Sequence, residues 1–189
     1  MADLDKAHAR KLAVLFAYFC MLAYLMWGYD VGYAILPALV LSAAAWLGYE
    51  CSRRPKIAEL RSAAAIGMLL SLFDFGVQNL GALLGFWQVT GTALHVGYVP
   101  VEIILLALIG GTAWALAQPK SFSRLDSILD IALFSTFGML GEALLVKNGI
   151  MRYAGGWNPA CALLGYIATW CLMTCLRYAA LAPKGGRKA

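Results

Sequence analysis

The chain has 189 residues, of which 62% are hydrophobic and only 13% are charged, and its mean hydropathy is +0.73. Soluble domains are closer to half apolar and a quarter charged, so this composition excludes an ordinary soluble protein. The net charge of +5 is accounted for by membrane topology and by contact with anionic lipid. It gives no reason to expect a nucleic-acid partner.

Apolar runs of about 20 residues, the length that crosses a bilayer, recur along the chain. They predict six transmembrane spans, at residues 11–28, 33–51, 63–86, 98–117, 127–147 and 158–180. The expected fold is an all-α, six-helix membrane bundle, with a single domain over residues 1–189. The first run resembles a signal peptide, but no small-residue cleavage site follows it, so an uncleaved helix is expected.

Lysine and arginine residues test the number of spans, because they stay on the cytoplasmic side of a membrane. With six spans, 13 of the 15 lie on one side, and only Lys147 and Arg152 lie on the other. Five or seven spans would remove this asymmetry. Both termini are therefore predicted to be cytoplasmic, in a protein of the cell (inner) membrane.

The lengths of the connections group the spans into three helical hairpins, residues 11–51, 63–117 and 127–180. Each hairpin has a glycine–aromatic pair and then a proline near its external turn, in "GYAILP", "GYVP" and "GWNP". The second and third hairpins also look alike when Phe75-Gly76 is placed beside Phe137-Gly138. We expect an internal repeat, two-fold or three-fold, with the working site at the interface between repeats.

Metal and cofactor motifs are missing from the sequence. It has no H-E-x-x-H motif, no Cys/His cluster and no glycine-rich phosphate loop between a strand and a helix. The five cysteines lack paired spacing and are interpreted as small apolar side chains. We expect neither a metal nor a cofactor.

Polar side chains inside the spans are the candidates for function, because a charge at the centre of a membrane helix costs on the order of 2.5–3.5 kcal/mol. Asp74 and Gln78 are four residues apart on one helix face, and Asn79 lies beside them. Glu102 lies in the first turn of the fourth span, and Glu142 in the outer half of the fifth. These five residues predict a polar pocket in the outer half of the bilayer.

The predicted site assigns catalytic roles to Asp74, Glu102 and Glu142. Substrate-binding roles are assigned to polar and aromatic residues in the pocket and around its mouth, namely Gln78, Asn79, Trp87, His95, Tyr98, Tyr153 and Trp157. Arg152 is also expected at the mouth.

Each assignment has a structural alternative. Glu102 also complements the dipole at a helix N-terminus, and Gln78 and Asn79 also suit hydrogen bonds between helices. His95 also suits an exposed loop, and the aromatic residues fit a belt at the membrane interface. Asp130, near the cytoplasmic start of the fifth span, is interpreted as a solvated or helix-terminal charge and is excluded from the site.

The second hairpin carries a family resemblance. A helix with "FDF" that ends in "GFWQ", followed by a helix that opens "VGYVPVEIILL", resembles the small membrane-embedded lycopene cyclases of the carotenoid pathway and, in general plan, the integral membrane terpene cyclases. Asp74 matches the family's helix acid, Trp87 its tryptophan, and Pro100-Val101-Glu102 its Pro-x-Glu. Ile103 stands where the family has a second Glu, and the third hairpin has Cys161 in the corresponding place.

This resemblance implies an isomerase-type enzyme that cyclises a lipophilic isoprenoid, a terpene or carotenoid, by acid-initiated, non-redox carbocation chemistry inside the bilayer. Glu102 or Asp74 would be the acid, and Glu142 the base or an electrostatic stabiliser. Two other readings stay open, a small-solute or proton transporter and a non-catalytic membrane subunit. A homodimer also stays open.

Overall fold

The structure, a computed structural model, describes residues 6–29, 32–90 and 94–180. Within these ranges, the chain forms six helices, which are α1 (Lys6–Gly28), α2 (Ile35–Ser52), α3 (Ile57–Leu83), α4 (Val101–Ala117), α5 (Arg124–Lys147) and α6 (Pro159–Cys175). A 3-10 turn (Gly32–Ala34) precedes α2, and a π-helical turn (Leu176–Ala180) extends α6. The short strands are β1 (Trp87–Val89), β2 (His95–Val96), β3 (Val99–Pro100) and β4 (Met151–Tyr153). The prediction of an all-α fold is confirmed.

Five of the helices are long and apolar enough to cross a membrane, whereas α4 has 17 residues and is shorter. These are the properties of an integral membrane protein. The largest difference from the predicted spans is in α3, which begins at Ile57 and ends at Leu83. At this earlier start, the Glu59 carboxylate accepts a hydrogen bond from the backbone N–H of Lys56, at 3.3 Å. This N–H group would otherwise lack a partner within the helix.

Successive helices run in opposite directions, as contacts at the two ends of the bundle show. At one end, which we name the basic end, Lys11 of α1 pairs with Glu50 of α2 at 3.4 Å, and Lys120 after α4 pairs with Glu59 of α3 at 2.9 Å. At the opposite end, Lys147 of α5 donates a hydrogen bond to the backbone oxygen of Trp27 in α1. We name this the ribbon end, because β1 and β4 lie there.

The helices pack as two groups of three. One group consists of α3, α4 and α2, with α4 in the middle, and the other consists of α6, α5 and α1, with α5 in the middle. The two helices of the second predicted hairpin therefore pack against each other, and so do those of the third. The helices of the first, α1 and α2, belong to different groups. These two helices are joined by Tyr18 and Ser42, whose hydroxyls are 2.9 Å apart, and by the Lys11–Glu50 pair.

The α3–α4 contact depends on two glycines that face each other. A Cβ atom on Gly111 would lie 3.1 Å from the Cα atom of Gly67 and 2.9 Å from the side chain of Leu70. A Cβ atom on Gly67 would collide with the Leu108 carbonyl oxygen and would lie 2.9 Å from the Thr112 backbone nitrogen. The two backbones therefore approach too closely for a side chain at either position, as is common in membrane bundles.

We expect Gly67→Ala to destabilise the bundle by about 1–3 kcal/mol, because the added methyl group meets rigid backbone atoms. Gly76→Ala on the same helix is the matched control, since nothing lies within 4 Å of a Cβ atom there. The measurement is the free energy of unfolding in mixed detergent micelles. Equal stabilities for the two variants would contradict this packing.

Two apolar clusters fill the interior, one toward each end. The cluster toward the basic end contains Ile66, Leu70 and Met173 together with aromatic rings that contact one another. We name these rings the aromatic cluster, which consists of Trp46, Trp114, Phe134, Phe137 and Trp170. The cluster toward the ribbon end is built from residues that include Met26, Ile35, Trp87, Leu145 and Ile150.

Helices α3 and α5 end in the same way. Gly85 has a φ of 73° and Gly149 a φ of 70°, in the left-handed region that favours glycine. In both turns the residue after the glycine donates its N–H to a carbonyl five residues earlier, Phe86 to Gly81 and Ile150 to Leu145, each at 2.9 Å. This is the Schellman pattern, and it relates the two turns by a shift of 64 residues.

Strands β1 and β4 pair antiparallel into a ribbon that follows the same correspondence. Gln88 lies opposite Arg152, with Trp87 opposite Tyr153 and Val89 opposite Met151. Gln88 and Arg152 are also 64 residues apart, so the two hairpins meet symmetrically at this pair. The sequence alignment of Phe75-Gly76 with Phe137-Gly138 differs by two residues from this correspondence of the helix ends and the ribbon.

Candidate functional site

The polar centre of the ribbon half is a pair of carboxyl groups on neighbouring groups of helices. Asp74 of α3 and Glu142 of α5 lie close enough to interact electrostatically, and Asp74 also contacts Gln78 one turn later. The helical rise of about 1.5 Å per residue puts Asp74 roughly 13 Å below the last residue of α3 and Glu142 roughly 7 Å below that of α5. Within the described residues, neither carboxyl group is paired with a lysine or an arginine.

Glu142 is held by two tyrosines from different elements. The hydroxyl of Tyr153 in β4 donates to Oε2 at 2.9 Å, and the hydroxyl of Tyr166 in α6 donates to Oε1 at 3.1 Å. Each oxygen of the carboxyl group thus receives one hydrogen bond, which stabilises negative charge there. The indole nitrogen of Trp157 is buried near the carboxyl group but does not reach hydrogen-bond geometry.

Tyr153 lies outside the membrane helices, and its environment keeps it protonated. Burial first, and then the nearby Glu142, raise the pKa of the Tyr153 hydroxyl well above its ordinary value. Tyr153 therefore remains a hydrogen-bond donor across the physiological range. It joins the ribbon to the acid pair below.

Aromatic side chains in and beside the ribbon cover the interior of this half of the bundle. Side chains alternate along a strand, and Trp87 is only 4% exposed. Its ring covers Gly81, where a Cβ atom would collide with it. Trp87 meets Trp157 edge to face with ring centroids 4.6 Å apart, and Phe86 stacks on Trp157 at 5.8 Å. Gln88 and Arg152 lie on the opposite, exposed face.

Several predicted site residues lie elsewhere. Asn79 donates from its amide to the Phe75 carbonyl at 2.8 Å and accepts from the backbone N–H of Tyr98 at 3.0 Å, so it holds the turn between β2 and β3. The Tyr98 side chain is exposed, and His95 is exposed in β2 opposite Pro100. Among the described contacts, none brings these three side chains to the acid pair.

Among the described residues, no hydrogen bond or ion pair joins Glu102 to Asp74 or Glu142. Glu102 lies in the first turn of α4, where the helix dipole favours negative charge. Its Oε2 atom is buried and has no hydrogen-bond partner among the described residues. The described interactions of Asp74 and Glu142 do not include Glu102. Of the carboxyl groups of Glu102 and Glu142, that of Glu142 is the one that interacts electrostatically with Asp74.

Sequence reasoning missed Tyr166. It lies on α6 where the ring fills the space beside Gly138, and a Cβ atom on that glycine would lie 2.5 to 2.6 Å from the ring. A tyrosine in the middle of an apolar span, away from both interfaces, is the signal that would have found it. The 64-residue shift also matches Gly138 with Asp74 and Glu142 with Gln78, so the two hairpins contribute different groups to the site.

A second polar group lies at the basic end, and the sequence interpretation of Asp130 there is wrong. Asp130 is only 1% exposed, and the Nε2 atom of His8 in α1 lies 3.0 Å from its Oδ1 and 3.2 Å from its Oδ2. Asp126 is buried one turn earlier, and Tyr178 interacts electrostatically with both carboxyl groups. Asp130 was misjudged because its partner lies 122 residues away in the sequence.

Comparisons of the chain with protein families, with curated proteins and with solved structures find no match to any of them. The resemblance of the second hairpin to membrane-embedded cyclases therefore remains a prediction from the sequence. The site must be interpreted from its own chemistry.

Proposed function

We propose that the protein cyclises a linear isoprenoid by acid catalysis inside the bilayer, without a redox step. The observation that supports this most directly is the Asp74–Glu142 pair, two carboxyl groups in an apolar bundle with aromatic rings beside one of them. Protonating an isolated alkene requires a neutral carboxylic acid, and an apolar site favours the neutral form of such a group.

The two carboxyl groups have different surroundings, which assigns their roles in this proposal. Asp74 contacts the amide of Gln78, whereas Glu142 receives two tyrosine hydrogen bonds. Asp74 is therefore the acid that donates a proton to one alkene carbon, and the resulting cation is attacked by a second alkene to form the ring. Glu142 stabilises the cation and then takes a proton from the carbon next to it.

The catalytic cycle needs a proton to return from the base to the acid, which is possible when the two carboxyl groups interact. After one turnover Asp74 has lost a proton and Glu142 has gained one, and transfer from Glu142 to Asp74 restores the starting state. The product has the same formula as the substrate, so no oxidant or reductant is needed. Trp157, Tyr153 and Tyr166 surround the base, and their ring faces stabilise positive charge on carbon.

Two features favour this function over transport. Helices α3 and α5 are continuous through Asp74 and Glu142, whereas transporters commonly bind their substrates at broken helices. The aromatic cluster also lies between the acid pair and the His8–Asp130 group. Packed rings there interrupt a polar route along α5.

We also propose that all six helices cross the cell (inner) membrane, with both termini in the cytoplasm. The alternating helices and the concentration of basic residues at one end support this topology. A cysteine placed at exposed Tyr98, in a background without native cysteines, should react with an impermeant maleimide in intact cells, and one at exposed Arg53 should not. The opposite labelling pattern would reverse the topology.

The function is tested by supplying expressing cells with lycopene and with shorter linear isoprenoids. Lipid extracts should contain ring products that cells with an empty vector lack. If the two extracts are identical for every isoprenoid supplied, the proposed function is wrong.

A further inference from the structure

An open depression lies beside the ribbon, at the end of α5. Residues from both faces of the ribbon line it, and they include Gln88 and Arg152 from the exposed face and Met151 and Tyr153 from the other. Gln88 and Arg152 are directly opposite in the ribbon, so their side chains are neighbours on the same face. Their amide and guanidinium groups both supply hydrogen-bond donors.

The charge of this depression is positive and uncompensated. Arg152 is exposed, and no aspartate or glutamate of the described residues pairs with it. Lys147, the other basic residue of this end, is directed away toward Trp27 of α1, with its amine 5.2 Å from the centre of the indole ring. Arg152 is therefore the group that can hold an anion in the depression.

The depression also adjoins the acid pair. Tyr153 lines it and, at the same time, donates a hydrogen bond to Glu142. Asp74 lies about 13 Å below the end of α3, from the helical rise. A chain of a few isoprene units is long enough to reach from the depression to this depth.

We propose that the depression binds the phosphate group of an amphiphilic isoprenoid, whose chain extends past Tyr153 toward the acid pair. The guanidinium group of Arg152 pairs with the phosphate oxygens, for which its planar set of donors is suited, and the amide of Gln88 donates a further bond. The isoprenoid part of this inference rests on the proposed cyclisation, and the phosphate part rests on the charge and shape of the ribbon.

The test is competition binding to the purified full chain in phosphatidylcholine nanodiscs. Geranylgeranyl phosphate is the probe, and the competitors are geranylgeraniol, inorganic phosphate and phosphatidylglycerol. Geranylgeranyl phosphate should bind most tightly. Arg152→Ala should weaken its binding about tenfold or more, as expected for a charged hydrogen-bonded pair, and should leave geranylgeraniol unchanged. Gln88→Ala should have a smaller effect in the same direction.

Lys147→Ala is the matched control, since it removes the same charge at the same end without lining the depression, and it should leave binding unchanged. Equal losses in Lys147→Ala and Arg152→Ala would overturn the site. Inorganic phosphate or phosphatidylglycerol that competes as well as the probe would also overturn it, by showing recognition of free anions or of bulk lipid.

The two proposals fail separately. Ring products together with phosphate binding that is indifferent to Arg152→Ala would overturn the headgroup site and leave the acid chemistry standing. The expected binding pattern without any ring product would uphold the phosphate site and refute cyclisation.

Discussion

Asp74→Asn is expected to reduce formation of the ring product by a factor of about 10²–10⁴, the usual contribution of a general acid. The asparagine amide has nearly the shape of the carboxyl group and still contacts Gln78, but it cannot donate the proton. Glu142→Gln should cause a similar loss, because an amide is a poor base and carries no negative charge. The measurement is product yield per unit of folded protein, from lipid extracts of cells with matched expression.

The neighbouring tyrosines provide a graded series. Tyr166→Phe removes one of the two hydrogen bonds to Glu142 and keeps the ring beside Gly138, so a smaller loss of yield is expected. Glu102→Gln is the matched control on another helix. It should retain most of the activity, because Glu102 is absent from the described interactions of the acid pair. Full activity in Asp74→Asn, or a greater loss in Glu102→Gln, would contradict the assigned roles.

His8→Ala is expected to be the most destabilising single change, by about 3–5 kcal/mol, because it leaves the Asp130 carboxylate buried without its partner. The pair joins α1 to α5 at the basic end, where the two side chains are 3% and 2% exposed. Adding Asp130→Leu should recover much of the lost stability, since two apolar side chains need no partner. The measurement is the free energy of unfolding in mixed detergent micelles.

Lys120→Ala is the comparison for this effect. It breaks a pair of similar length with Glu59, at 2.9 Å, but its side chain is 84% exposed. Exposed pairs contribute less than about 1 kcal/mol. If His8→Ala proves no more harmful than Lys120→Ala, the His8–Asp130 pair does not stabilise the α1–α5 contact.

Composition and charge were sufficient to predict the membrane class, the helical fold and the approximate ends of the helices, because spans of this length have few alternatives in a bilayer. They were also sufficient to select Asp74 and Glu142. Both are carboxyl groups within apolar runs, and neither lies directly at a helix end or beside a cytoplasmic basic cluster. Such residues need a polar environment inside the bundle, whatever its topology.

The sequence could not show which carboxyl groups meet. Glu102 follows Asp74 within the same hairpin, whereas Glu142 reaches Asp74 only through packing between the two groups of helices. Tyr166 and His8 were missed for the same reason, since each meets its partner across the bundle. The periodicity of a sequence indicates on which face of a helix a residue lies. It does not indicate which other helix packs against that face.

The ends of helices proved more informative than helix interiors for finding the internal correspondence. Phe, Gly and Ala recur in any membrane helix, so the match between Phe75-Gly76 and Phe137-Gly138 was weak. Gly85 and Gly149 have a conformational reason to be glycine, since both have positive φ. Their turns align the two hairpins and place Gln88 opposite Arg152.

The most direct test of proton-initiated cyclisation is to incubate the purified protein with a linear isoprenoid in D₂O and to measure the product by mass spectrometry. The protein is first equilibrated in D₂O and is used in excess over the substrate, so that each molecule turns over once, before the proton taken by Glu142 can be reused. The ring product should then carry a single non-exchangeable deuterium and otherwise keep the formula of the substrate. Ring product without deuterium, or with a changed number of hydrogens, would contradict acid-initiated, non-redox cyclisation.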